Sequence, residues 1–130
     1  MASRKTTLLV AAAVAAVVGA AALLPATASA ATYVVGDDAG WDTAVDYVAW
    51  ARGKRFKVGD TLVFRYDAQG PQDVVVVDAR GYAKCTAPDN APALTSGDDH
   101  VVLGQAGQFF FICEAEGECE GGMKLAVTVH

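Results

Sequence analysis

An all-β fold, an antiparallel β-sandwich or small barrel, is what this 130-residue sequence predicts. Three observations carry that expectation: apolar and polar residues alternate with a period of two in several stretches, glycine-rich turns separate those stretches, and helical periodicity is scarce.

The first segment stands apart. Arg4 and Lys5 precede an uncharged apolar run over residues 8–24, followed by Pro25 and the small-residue triplet Ala28-Ser29-Ala30. That is the order of parts in a secretory signal peptide covering residues 1–30, cut between Ala30 and Ala31. A signal anchor is the rival reading, since the run approaches the roughly 18 residues of a minimal span. The helix-breaking Pro25 and the A-x-A site favour removal, leaving a single domain over 31–130.

Within that domain, residues 32–35 make the first short strand candidate, and residues 43–52, with Val45, Val48 and Trp50 among polar neighbours, suit a short helical turn. In 61–66 the residues Leu62, Phe64 and Tyr66 share one face while Val63 and Arg65 share the other, which is a strand. Val74 to Val77 is an unbroken β-branched run suited to a strand covered on both faces. Residues 100–103 and 108–112 are further strands. In 124–129, Leu125, Val127 and Val129 point inward while Lys124 and Thr128 face water. Gly36-Asp37-Asp38, Val58-Gly59-Asp60, Ser96-Gly97-Asp98 and Gly121-Gly122 are among the intervening turn signals.

Composition narrows the function. Residues 31–130 hold eight basic against fifteen acidic residues, a net charge of −7, so nucleic acid is an unsuitable partner. No later apolar run is long enough to cross a bilayer, and neither a polar spacer nor a hydrophobic tail for a lipid anchor follows the last strand. The only asparagine, Asn90, is followed by Ala91-Pro92, so no N-glycan is expected. Ser96, four residues before His100 with Asp98 and Asp99 between, supplies the letters of a serine hydrolase without an oxyanion site; a solvated turn is the simpler account. Cys85, Cys113 and Cys119 reach an oxidising compartment, where one pair bridges and one thiol is left over. Counting alone leaves three pairings open.

The segment FFFICEAEGECEGGMKLAV resembles the C-terminal copper loop of the phytocyanins, plant relatives of plastocyanin with the cupredoxin fold. The rest of the domain is similar in order and spacing: Tyr33-Val34-Val35-Gly36, Gly40-Trp41, Tyr47-Val48-Ala49-Trp50-Ala51, the run from Phe56 through Lys57-Val58-Gly59-Asp60 to Phe64, and Gln72-Asp73-Val74 leading to Tyr82 and Cys85. The resemblance implies a cupredoxin-like Greek-key sandwich and a type 1 copper held by two histidines, one cysteine and a weak axial methionine or glutamine. It places Cys113 as the copper cysteine, Met123 as the axial ligand and Cys85–Cys119 as the disulfide, closing a loop of roughly 35 residues. The two family histidine positions fall on Gln72 and Glu118.

A blue site depends on two neutral imidazoles and one thiolate in a trigonal set. Here sulfur is kept and both imidazoles are replaced by oxygen donors, which favour harder or more tetragonal sites. His100 and His130 read as a surface strand residue and a disordered terminus. Without metal, burial and the nearby Glu114, Glu116, Glu118 and Glu120 should raise the Cys113 thiol and leave it inert. The glutamates read as a solvated turn first and a docking patch second.

Two expectations compete. The first is a secreted, copper-free module, not an enzyme, binding an extracellular protein or cell-wall component through loops on a rigid sandwich. The second is the family activity, one-electron transfer through copper with an altered ligand set. An extracellular enzyme is a distant third.

Overall fold

The computed structural model describes residues 6–10 and 29–130. Two four-stranded sheets face each other. The first has the order β1-β6-β3-β2 and the second β5-β4-β7-β8, with β1 at Thr6–Val10, β2 at Thr32–Val34, β3 at Thr61–Arg65, β4 at Val74–Val77, β5 at Ala93–Leu94, β6 at Asp98–Leu103, β7 at Gly107–Ile112 and β8 at Lys124–Val129. The alternating segments became strands because a half-buried pleat rewards a period of two: in β8 Leu125, Val127 and Val129 are buried and Thr128 is exposed. Phe64 on β3 meets Phe111 on β7 with ring centroids 5.3 Å apart, joining the two sheets through the core. Trp41 packs edge-on against Phe64 at 5.0 Å.

The structure differs from the sequence reading at several places, each for a physical reason. The sandwich is not wholly antiparallel, because β2 and β3 pair in parallel. Between them the chain passes through a 3-10 turn at Asp37–Ala39 and helix α1 at Tyr47–Arg52, a crossover long enough to bring it back in the same direction. Val63 is buried like Leu62 and Phe64, since β3 is an inner strand with Val34 and His100 beside that position. A second helix, α2 at Ala79–Lys84, has no apolar periodicity to announce it; the Asp78 carboxylate caps it by accepting from the Gly81 N–H at 2.8 Å. Part of the expected leader, Thr6–Val10, lies parallel to β6, while residues 11–28, with most of the apolar run, fall outside the described residues. His130 is held rather than loose: its N–H donates to the Phe56 carbonyl at 2.9 Å and its own carbonyl accepts from Val58 at 3.2 Å.

Candidate functional site

Strand β7 ends in Cys113, and the loop that follows folds back on itself. The Glu118 N–H donates to the Ala115 carbonyl at 3.0 Å, Gly121 to Gly117 at 3.0 Å, and Gly122 to Cys119 at 2.9 Å. These turns deliver Met123 beside Cys113: the Cys113 N–H donates to the Met123 carbonyl at 3.1 Å, and the Met123 N–H to the Glu118 carbonyl at 2.9 Å. Both sulfur side chains are fully buried in the core, while Glu114, Glu116 and Glu120 are exposed and Glu118 is half-buried.

Asp73 binds the other half of the site to this loop. Its carboxylate accepts from the Glu114 N–H at 2.6 Å, and its carbonyl accepts from the Trp41 indole N–H at 2.8 Å. Trp41 reaches it because the chain passes Gly40 at φ +70, so close to β3 that a Cβ there would stand 2.6 Å from the Arg65 carbonyl oxygen. The connection carrying Gln72 is thereby fixed next to the Cys113 loop. Asp73 belongs to the Gln72-Asp73-Val74 stretch, but its clamping contact spans 41 residues of chain and has no local signal. The Gln72 side-chain oxygen is buried without a hydrogen-bond partner, and it is turned against Gly70, where an added Cβ would stand 2.4 Å from it.

Burial pushes the Cys113 thiol above its ordinary value. Backbone hydrogen bonds from Asp73 and Ala115 pull the other way, and the Asp73 carboxylate adds to the rise. Burial was expected as the cause; the negative neighbour is Asp73 rather than the glutamates of the loop. Tyr47, whose hydroxyl donates to the Gly40 carbonyl at 2.6 Å and accepts from the Asp42 N–H at 2.7 Å, is pushed up to about 12. Burial is the main cause, and the negative charges of Asp42 and a Cys113 thiolate add to it. A folded-state value above the ordinary 10.0 means that folding favours the protonated phenol, so this contribution is whole below pH 10 and is lost as pH rises toward 12. The urea midpoint is expected to fall across that window and Tyr47→Phe to flatten the fall. An unaltered slope in the variant would show that Tyr47 is not its source.

Cys85 and Cys119 form the disulfide, with Cα atoms 5.7 Å apart and a sequence separation of 34. Helix α2 ends at Cys85 in the left-handed conformation, φ 54, with its N–H on the Gly81 carbonyl. Cys113 is the free cysteine. Ser96 is engaged in its own turn: its hydroxyl donates to the buried Asp99 carboxylate and accepts from the Asp98 N–H at 3.1 Å. Tyr66 also donates to Asp99, tying the end of β3 to the start of β6. His100 is half-buried rather than a free surface residue, with Nε2 3.1 Å from Asp98 Oδ1. Neither it nor His130 is part of the Cys113 cradle as described by these contacts.

The residues present do not fit a type 1 copper. Cys113 and Met123 are buried and joined through their backbone, Asp73 holds Gln72 next to this loop and Glu118 lies within it, so at the two positions where the resemblance places imidazoles stand an amide and a carboxylate. Among the described residues no group of three or more histidines, cysteines, aspartates or glutamates is arranged to hold a metal ion.

Residues 41–123 match the family described as Plastocyanin-like domain. The Blue copper protein of Petunia hybrida is 48% identical over 110 residues, covering 82% of this chain and 41% of that protein, so the chain spans less than half of that relative's length. Chemocyanin of Lilium longiflorum is 43% identical over 101 residues, 78% of this chain and 77% of its own. Cucumber basic protein, described as a blue copper protein, superposes with a TM-score of 0.68 at 41% identity, with 76% of this chain matching 99% of it.

Proposed function

Because this chain belongs to the phytocyanin family of plastocyanin-like cupredoxins, we propose that it is a secreted member that has given up the blue copper site and serves as a non-catalytic extracellular binding module. The single observation behind this reading is the donor set. Thiolate and thioether alone are a soft, incomplete pair, and an amide oxygen and a carboxylate in place of two imidazoles do not restore the trigonal geometry. The scaffold remains: a disulfide-stapled sandwich presenting loops at one pole, where Glu114, Glu116 and Glu120 are exposed. Rigid sandwiches bearing variable loops are apt binders of a protein or cell-wall partner, and such a role involves no substrate turnover.

The second reading keeps the family activity, one-electron transfer through a mononuclear copper with an altered ligand set. The orphaned Gln72 oxygen favours it, as an oxygen donor in want of a partner, although that oxygen is turned against Gly70.

Adding one equivalent of Cu(II) to the secreted protein and recording its visible spectrum separates the two. No intense thiolate-to-copper charge-transfer band is expected. A strong blue band, together with a reducible stoichiometric copper, would overturn the copper-free reading.

A further inference from the structure

Asp60 is a fully buried carboxylate, and among the described residues no lysine, arginine or histidine forms an ion pair with it. Oδ2 accepts from the Lys57 N–H and Oδ1 from the Ala31 N–H, both at 2.8 Å. Its backbone is committed to neighbours as well: its N–H donates to the Lys57 carbonyl at 3.0 Å, and its carbonyl accepts from Leu103 at 2.8 Å. A charge removed from water and held only by neutral donors is an expensive arrangement. The nitrogen it holds is no ordinary one in this sequence, since Ala31 directly follows Ala28-Ser29-Ala30. Ser29 and Ala30 are exposed, whereas the Ala31 carbonyl is already bound by the Thr61 N–H at 2.9 Å at the start of the β2–β3 pairing. The hydrogen-bonded pairing of β2 with β3 therefore begins immediately after the Ala30–Ala31 peptide bond.

With the leader cut at this bond, as its sequence predicts, we infer that Asp60 is the built receptor for the amino group that cleavage creates. A peptidase of the secretory route hydrolyses the amide: water adds across the C–N bond, Ala30 leaves as a carboxylate with residues 1–30, and the Ala31 nitrogen takes up a proton. The new α-ammonium stands where the amide N–H stood, 2.8 Å from Oδ1. No rearrangement is needed, because the hydrogen bond exists beforehand; cleavage converts it from a singly to a doubly charged contact, which is the stronger kind. The uncleaved and mature chains are thus different proteins at this corner, with the buried carboxylate neutralised only in the second. The inference rests on the secretory part of the proposed function and not on the copper part, so the spectrum and the N-terminus are judged separately.

The full chain, expressed in a secreting host, provides the test. Intact mass and N-terminal sequencing of the secreted product are expected to show Ala31 as the first residue, and a different start would overturn the inference. Comparing mature with uncleaved protein is not the right measure of the ion pair, since cleavage also removes β1 from the edge of β6. Selective acetylation of the α-amine restores the neutral amide and little else, in space that Ala30 occupies in the longer chain. It is expected to lower the folding equilibrium constant, read from urea unfolding, by at least about tenfold. In the Asp60→Asn variant the same acetylation should change it by less than about threefold. Insensitivity of the parent to acetylation, or equal sensitivity in Asp60→Asn, would overturn the role of Asp60. Should Asp60→Asn not fold, the parent's response to acetylation decides the matter.

Discussion

Gln72→His combined with Glu118→His is expected to turn a protein without a blue band into one with an intense band when Cu(II) is added. The family resemblance assigns both positions to imidazoles, and hydrogen bonds tie each of them into the Cys113 loop or beside it. Gln72 is anchored through Asp73, whose carboxylate and carbonyl bind Glu114 and Trp41, and Glu118 is anchored through its hydrogen bonds to Ala115 and Met123. Cys113 then needs only two neutral nitrogen donors to complete the set, with the Met123 thioether as axial group. Changes in outer-shell partners alone alter metal affinity about 10–100-fold, so restoring two direct ligands should tighten binding by more than about 100-fold. Competition with a chelator measures the affinity and visible absorption the geometry; each single substitution should give less than the pair. A double variant that folds, by circular dichroism, and remains colourless would mean that the histidine positions have been placed on the wrong residues.

Loss of the disulfide carries the second large effect. Replacing Cys85 and Cys119 together by serine should lower the unfolding free energy by about 4 kcal/mol, the loop-closure term for a bridge spanning 34 positions. That is a large share of the about 5–15 kcal/mol available to a small domain. Cys119 is buried with Val75 and Ile112, so the serine hydroxyl adds a polar burial cost on the same side of the balance. Urea unfolding of the double variant against the parent measures the sum, with Cys113 kept reduced so that it forms no replacement bridge. A loss below about 1 kcal/mol would show that the denatured chain is already compact around these residues and that the loop-entropy account fails for this protein.

Legibility in the sequence followed the range of the signal. The strands 124–129 and 74–77 were readable to the residue because alternation and β-branching are properties of neighbours along the chain. Helix α2 was not, since six residues give no helical period and its start depends on one capping aspartate. The pole of the site was partly legible: the sulfur spacing in CEAEGECEGGM pointed to Cys113 and Met123 as partners, and their backbone hydrogen bond joins them, while the ligand roles of Gln72 and Glu118 rest on the family resemblance alone. The same source located the bridge between Cys85 and Cys119, where counting cysteines had left the pairing open.

Sequence alone determined that this is a β-sandwich with two sulfurs, Cys113 and Met123, at the two ends of one short loop, because residue identity and short-range spacing decide both. Only the tertiary structure decided that Asp73 clamps that pole, that Asp60 receives the Ala31 nitrogen, that His130 is pinned and that β2 and β3 run in parallel. Those contacts join residues some 30–70 positions apart, and whether a buried carboxylate meets an N–H across such a gap depends on how the sheets pack, which no local pattern records.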